Sequence, residues 1–306
     1  MAKRSKLQTT FEYLAARAVL STLGVLPRSL SIAAGRGLGR TAYLLSGKLR
    51  RTAGRNLELA FPELGADEKQ RLLRGCFDSL GRQLGVFSQL SRVTPEELAR
   101  IVDCEGLEHL EAAQARGRGV ILFTGHLGAW ELSSFVLSAF GRPLSFMVRR
   151  IDNDRIEEMV DSVRTRFGNQ TVDKNAVSRT ALRHLNAGGT LGMLPDVNML
   201  AREGVFVDFF GTPASTTSML AKLALRTGAA VVPIYVPWDA ERQRYVLRIE
   251  PELNVTHTGN DDDDIQQLTA QFMSSIEKIV RRYPEQWLWL HKRWKTRPPG
   301  EPDLYA

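Results

Sequence analysis

Cysteine is scarce in this chain. Cys76 and Cys104 are the only two, and neither sits in a CxxC pair. That argues against a disulfide framework and against a zinc–thiolate centre. There is no HExxH, and the five histidines are too scattered to read as a metal cluster. Neither a GxSxG elbow nor a P-loop occurs, which argues against a serine hydrolase and a nucleoside triphosphatase. Long apolar runs are missing too. Residues 11–26 and 29–45 are apolar, but Glu12, Arg17, Arg36 and Arg40 lie within them and Pro27-Arg28 separates them. Neither reaches the ~18 uninterrupted apolar residues of a clear membrane span. No small-residue cleavage site follows a compact apolar core, so a signal peptide is a poor match.

What is present is a chain of 306 residues, 43% of them hydrophobic, ample for a buried core. Its 41 Lys and Arg exceed 34 Asp and Glu, for a formal net charge of +7. Such a balance suits nucleic acid, an anionic membrane surface or an acidic protein partner. No nucleic-acid recognition motif accompanies it, which argues against nucleic acid. Apolar periodicity predicts a helix over 66–90, and Thr94-Pro95-Glu96-Glu97 reads as a capped helix start. Strands are predicted over 120–124, 144–148, 190–194, 230–236 and 245–249, and helices over 131–140, 154–166, 176–187, 216–227 and 265–282. This alternation predicts an α/β fold, with a central mixed, largely parallel sheet flanked by helices. Residues 1–46 read as two membrane-associated helices lying in or against a bilayer, or as an amphipathic pair packed on the domain formed by 47–306.

The candidate chemistry begins at Gly125-His126-Leu127-Gly128-Ala129-Trp130-Glu131. An imidazole just past a strand, with a carboxylate five residues on, has the parts of a general base; a lone His is also commonly structural. Arg149-Arg150 and Asp196 follow two other predicted strands, where open α/β sheets form sites. The arginines could fork a phosphate or carboxylate, or be surface charge. Phe209-Phe210-Gly211-Thr212-Pro213 reads as an apolar surface ending in a tight turn, and the Ser/Thr cluster through Thr216-Thr217 as a helix cap beside an anion or oxyanion; the phenylalanines could equally be core. Residues 281–295 hold three of the five Trp among basic residues. That mixture suits a lipid-headgroup contact, single-stranded nucleic acid, or a segment anchored in the core.

Taken in order, these blocks resemble the bacterial lipid A late acyltransferases, the lauroyl/myristoyl transferase group of the lysophospholipid acyltransferase superfamily. The resemblance runs over Arg55-Asn56-Leu57-Glu58-Leu59-Ala60-Phe61-Pro62-Glu63-Leu64, the HxxxxE of His126 and Glu131, Phe209-Phe210-Gly211 with Pro213 and Thr216-Thr217, and Pro284-Glu285-Gln286-Trp287-Leu288-Trp289-Leu290-His291-Lys292-Arg293. It implies transfer of an acyl chain from acyl carrier protein, or from coenzyme A, to a hydroxyl of a membrane lipid at the cytoplasmic face of the inner membrane. It implies no cofactor, no metal and no acyl-enzyme. His126 would be the base and Glu131 its orienter; Arg149, Arg166, Asp196, Phe210, Gly211 and Thr216 would bind substrate, with Arg164 close enough to Arg166 to confuse the match. Two departures concern the acceptor. Val197 stands where the family usually has Gln after the strand-end Asp, with Asn198 next to it as a replacement amide, and Gly125 stands where a polar residue often precedes the His. A lysophospholipid or another glycolipid is therefore the alternative to a lipid A precursor.

Overall fold

Two helices, α1 (Lys6–Val25) and α2 (Arg28–Leu45), open the chain in a computed structural model that describes residues 5–148, 150–173 and 177–306. The Ser5 hydroxyl caps α1 by accepting the Gln8 N–H at 3.1 Å. Pro27, which has no N–H to give a helical ladder, separates the two helices. Helices α3 (Gly47–Ala60) and α4 (Ala66–Gln89) follow. α2 lies on α4 along a seam of small residues. A Cβ at Gly35 would stand 2.3 Å from the Gly81 carbonyl oxygen, and one at Gly81 2.3 Å from that of Gly35. The two backbones therefore meet with only hydrogen between them, and Arg36 Nε donates to Asp78 at 2.7 Å beside the seam.

The α/β alternation then begins. α5 (Pro95–Ile101) carries the predicted capping box: Thr94 Oγ accepts the Glu97 N–H at 3.2 Å and Glu97 accepts the Thr94 N–H at 2.9 Å. After it come β1 (Val102–Glu105), α6 (Leu107–Ala115), β2 (Val120–Phe123), α7 (Trp130–Ala139), β3 (Ser145–Val148), α8 (Asp154–Arg164), β4 (Gln170–Asp173), α9 (Val177–Asn186) and β5 (Thr190–Met193). The second half holds β6 (Gly204–Phe209), β7 (Thr212–Thr217), α10 (Met219–Thr227), β8 (Ala230–Tyr235), β9 (Trp238–Asp239), β10 (Arg244–Ile249) and α11 (Asp261–Arg282). The acidic run 261–264 forms the first turn of α11, where the helix dipole favours negative charge.

The main sheet has the order β1-β10-β8-β2-β5-β3-β4. Its pairs are parallel except where β10 meets β8 and β9, so the sheet is mixed and mostly parallel as expected. β2 and β8 are buried along their whole length, which accounts for their unbroken apolar sequence. Alternate side chains feed two cores. Ile121, Phe123, Leu191, Met193 and Val231 face α10, α11 and the C-terminal tryptophans. Val120, Leu122, Val232 and Ile234 face α7 and the end of α4.

One region differs from the sequence reading. Residues 212–217 form β7, hydrogen-bonded to β6 from Gly204↔Thr217 to Phe209↔Thr212, and the helix predicted from 216 begins at Met219. The β-branched threonines take the extended conformation that suits them. Phe210 and Gly211 make the two-residue turn, with φ of 56° and 72°, as the hairpin twist requires. Gly211 adopts this freely. Phe210 does not, and it is held there by its ring packing on Phe61, Phe209 and Trp289 and by its N–H, which donates to Glu277 at 2.7 Å.

Among the described residues no helix is long and apolar enough to cross a membrane. The apolar outer face of the first two helices is nonetheless open. Of the eleven exposed large hydrophobics among the described residues, nine lie in α1 and α2, including Leu7, Phe11, Leu44 and Leu45. The seam with α4 holds this face in place. Gly81→Ala should therefore lower stability by about 1–3 kcal/mol through overpacking, read as a lower denaturant midpoint; an unchanged midpoint would show that the seam is not a tight contact.

Candidate active site

Strand register builds the site. Phe123 of β2 is paired with Met193 of β5, and the Thr124 N–H continues the ladder to the Met193 carbonyl at 3.1 Å. His126 and Asp196 each lie three residues beyond that pair, so the two loops deliver them side by side at the carboxyl edge of the sheet. Asp196 accepts the His126 backbone N–H on Oδ2 at 2.7 Å, and its Oδ1 lies 2.7 Å from His126 Nδ1. An ionised carboxylate only accepts hydrogen bonds, so Nδ1 carries the ring proton and Nε2 keeps its lone pair. Burial works against charge on His126, but the charge and hydrogen bond of Asp196 outweigh it, and the imidazole pKa is raised above its ordinary value. Asp196 is almost fully buried, which by itself would raise its pKa; its bonds to His126 and Trp287 more than reverse this and lower it.

Trp287 Nε1 donates the third bond to this carboxylate, at 2.8 Å to Oδ2. The segment carrying it grips the histidine loop from behind: Leu288 N–H donates to the His126 carbonyl at 2.9 Å, and Gly128 N–H to the Gln286 carbonyl at 3.0 Å. Trp287, Trp289 and Trp294 are all buried, so the C-terminal segment is a core anchor, and its indoles do not form a headgroup-level surface.

Glu131 occupies the first turn of α7 and makes no hydrogen bond to the imidazole. It receives a two-pronged contact from Arg164 at the end of α8, Nε to Oε2 at 3.1 Å and Nη2 to Oε1 at 2.5 Å. The expected orienter of His126 is thus replaced by Asp196, and Glu131 acts on the ring only through its charge. The arginine differs as well. Arg166 lies past the helix end and donates to the Leu90 and Val93 carbonyls at 2.8 and 2.7 Å, tying α8 to the loop after α4, so Arg164 takes the place foreseen for it.

His126, Glu131 and Arg164 line a cavity of about 420 Å³. It runs under α7 along the sheet face, with Leu122, Leu144, Phe146, Leu194, Val197 and Ile234 giving an apolar lining. Phe210, Gly211 and Thr216 lie outside it. The first two form the hairpin turn, and Thr216 accepts a hydrogen bond from the buried Arg293 guanidinium, which also donates to the Ser215 carbonyl at 2.7 Å. They brace the segment that presents Trp287. Arg149 lies outside the described residues. Asn198 lines the cavity with its amide tied to Thr296: its Nδ2 donates to Thr296 Oγ at 3.0 Å and its Oδ1 accepts the Thr296 N–H at 2.9 Å. The sequence reading missed His291 as a site residue, though it lay within a quoted block. His291 lines the cavity, and its Nε2 accepts the Asn198 backbone N–H at 2.9 Å. Burial, aided by the Arg293 charge, pushes its pKa down to about 4. Among the described residues no three His, Cys, Asp or Glu side chains come together as a metal shell would require.

The family model described as bacterial lipid A biosynthesis acyltransferase matches residues 1–296. A palmitoleoyltransferase of lipid A biosynthesis from Escherichia coli K12 is 32% identical over 255 residues, 83% of this chain and 81% of its own. A lipid A biosynthesis acyltransferase from Haemophilus influenzae is 30% identical, over 84% of this chain and 79% of its own. The E. coli K12 lauroyltransferase is 29% identical over 92% and 90% of the two chains.

The geometry predicts how the imidazole titrates. Asp196→Asn removes the charge that outweighs burial, so the His126 pKa should fall from above 6.5 to below it. Proton NMR of the His126 ring across pH 4–9 (roughly the span where imidazoles titrate) reads this directly; a pKa unmoved by the substitution would remove Asp196 as its partner.

Proposed function

Because the chain belongs to the bacterial lipid A biosynthesis acyltransferase family, we propose that it moves a fatty acyl group from an acyl carrier protein thioester to a hydroxyl of a lipid A precursor at the cytoplasmic face of the inner membrane. The observation that carries this reading is a histidine with a free Nε2, fixed by a buried carboxylate, at an apolar cavity. His126 Nε2 takes the proton of the acceptor hydroxyl as its oxygen attacks the thioester carbonyl carbon. The C–O bond forms, the carbonyl electron pair moves to oxygen, and Asp196 stabilises the imidazolium. Collapse of the adduct breaks the C–S bond, and the imidazolium returns the proton to the departing thiolate. Ester and free thiol are the products, with no acyl-enzyme and no cofactor. The acyl chain lies along Leu122, Phe146 and Ile234, and the net positive charge suits an acidic carrier protein. Glu131 and Arg164 form a fixed ion pair at the cavity wall that holds the guanidinium beside the reacting groups.

α1 and α2 lie on the bilayer with Leu7, Phe11, Leu14, Leu30, Leu44 and Leu45 entering the interface. A contact between α1 and the element that carries Arg164 supports a cavity facing the lipid: Asn153 Nδ2, just before α8, donates to the Thr9 carbonyl at 2.7 Å.

One observation favours a second acceptor. Val197 lines the cavity as an apolar side chain, and the Asn198 amide is committed to Thr296. The amide implied by the family pattern is thus held by Thr296, with one side-chain N–H left over, an arrangement that suits a lysophospholipid or another glycolipid, with an acyl-coenzyme A as its donor.

Purified protein given the carrier-protein thioester and a lipid A precursor should yield a lipid heavier by one acyl group in mass spectra, and His126→Ala should slow this by roughly 10²–10⁴-fold. The base works only when neutral. Its raised pKa places the acid limb of kcat/KM above pH 6.5, with activity rising as pH rises through it. Transfer to lysophospholipid alone would favour the second acceptor, and full activity of His126→Ala would sink the mechanism.

Membrane docking has its own readout. Replacing Leu7, Phe11 and Leu14 with Ser should shift the protein from sedimenting with anionic phospholipid vesicles to the supernatant. Unchanged co-sedimentation would mean that this face does not enter the bilayer.

A further inference from the structure

The loop after β5 orients two imidazoles in opposite senses. Asp196 takes the Nδ1 proton side of His126 and leaves Nε2 as a bare acceptor. Two residues on, the Asn198 backbone N–H donates to His291 Nε2. A nitrogen that accepts an N–H carries no proton of its own, so the proton of the neutral His291 ring is on Nδ1. That N–H finds no acceptor among the described residues, and the ring lines the same cavity as His126. The cavity therefore holds one imidazole presented as a proton acceptor and one presented as a hydrogen-bond donor.

An acyl transfer needs such a donor. The carbonyl oxygen gains a full negative charge when the alcohol adds, and a fixed N–H aimed at it lowers that barrier. Many of the other candidates already have protein acceptors. The amide N–H groups of the histidine loop go to protein acceptors: His126 to Asp196, Leu127 to the Gly125 carbonyl, Gly128 to that of Gln286 and Ala129 to that of Val236. Arg164 gives its Nε and one Nη2 N–H to Glu131 and keeps its other guanidinium N–H groups. The Thr124, Ser133 and Ser134 hydroxyls donate to backbone carbonyls, and the Asn198 side chain donates to Thr296. The Trp130 indole, the remaining guanidinium N–H groups of Arg164 and the second side-chain N–H of Asn198 are rival donors from the same cavity.

We propose that His291 is a catalytic residue whose Nδ1–H hydrogen-bonds the carbonyl oxygen of the acyl thioester and stabilises the oxyanion formed on it. This rests on the acyl-transfer reading above. A neutral imidazole suits the task, because an imidazolium would surrender its proton to the oxyanion or to the base. The setting keeps it neutral: burial and the Arg293 charge disfavour a second proton, and the groups around it are Arg293, Asp196, His126 and Lys295.

Three measurements decide the matter. In the parent protein, ¹⁵N NMR should show His291 as the neutral Nδ1–H tautomer from pH 6 to 8 (about the range in which an ordinary imidazole changes charge). An Nε2–H tautomer, or a charged ring there, overturns the proposal whether or not the protein transfers an acyl group. A long-chain acyl ketone, with CH₂ in place of the thioester sulfur, should bind with its carbonyl stretch lowered in the parent and not in His291→Leu. An equal shift in both proteins overturns the proposal without any turnover. Finally, His291→Leu should lose about 10²–10³-fold in kcat with the donor KM within about twofold. His291→Gln, which can accept from Asn198 and still donate, should recover to within about tenfold of the parent. A purely structural role would instead lower the unfolding temperature and leave the ketone stretch unaltered. Parent-like kcat in His291→Leu, or the loss appearing in Trp130→Phe instead, also overturns it. A parent that binds and polarises the ketone but acylates no lipid would count against the function proposed above and leave His291 as the donor.

Discussion

A buried carboxylate holds this molecule's site together. Asp196 is sealed from water, and an ionised group in that position is costly unless every part of it is bonded. Three N–H groups meet it: the His126 backbone, the His126 ring and the Trp287 indole. With the carboxylate itself they join three separate stretches: the loop after β2 and the C-terminal segment supply the donors, and the loop after β5 carries Asp196. No one of these can move without stripping a donor from a buried charge, and that penalty exceeds the loss of an ordinary hydrogen bond. The same contact fixes the tautomer of His126 and the course of the last turn of the chain.

The demand on Trp287 explains the aromatic and basic richness of the closing segment. An indole can deliver its N–H to Asp196 only if its body is packed, and Phe209 and Trp289 meet it edge to face. Phe210, kept at positive φ, closes the hairpin that carries Phe209. Arg293 is buried without a carboxylate bonded to it, its pKa pushed down to about 10 by that burial, and it joins the segment to β7 through Ser215 and Thr216. These residues matter to the site through rigidity. Their place in the sequence, beside a helix start, gave them the look of ligand contacts, whereas the structure packs them behind the residues that line the cavity.

Much of this was legible in the sequence, and the failures have physical causes. The alternation of strands and helices, the capping box at Thr94 and the strand-end His126 follow from local pattern, which a linear reading captures. The partner of His126 depends on which strand lies beside β2. That pairing is non-local; once β5 is known to pair in register, equal offsets of three residues bring His126 and Asp196 together. Glu131, nearer in sequence, begins α7 and pairs with the end of α8. Arg164 and Arg166 differ by whether the residue falls on the last helical turn or beyond it, and helix ends are the least certain boundaries in any sequence. The threonine run at 212–217 serves a cap or a strand equally well by composition, and a partner strand with a two-residue turn decided for the strand.

Charge balance gives the two carboxylates different tasks. Glu131 and Arg164 cancel each other at the cavity wall, so neither leaves an uncompensated charge in an apolar space. Asp196 is unbalanced while His126 is neutral and becomes balanced once the imidazole takes a proton. The site is thus electrostatically incomplete while the imidazole is neutral, and in the proposed mechanism the proton of the acceptor alcohol completes it. If Glu131 instead held the imidazole, Arg164 would be left unpaired, and its charge would oppose the imidazolium directly. Keeping that ion pair apart from the His126–Asp196 pair lets the imidazole gain a charge where a negative group already waits for it, as the proposed base requires.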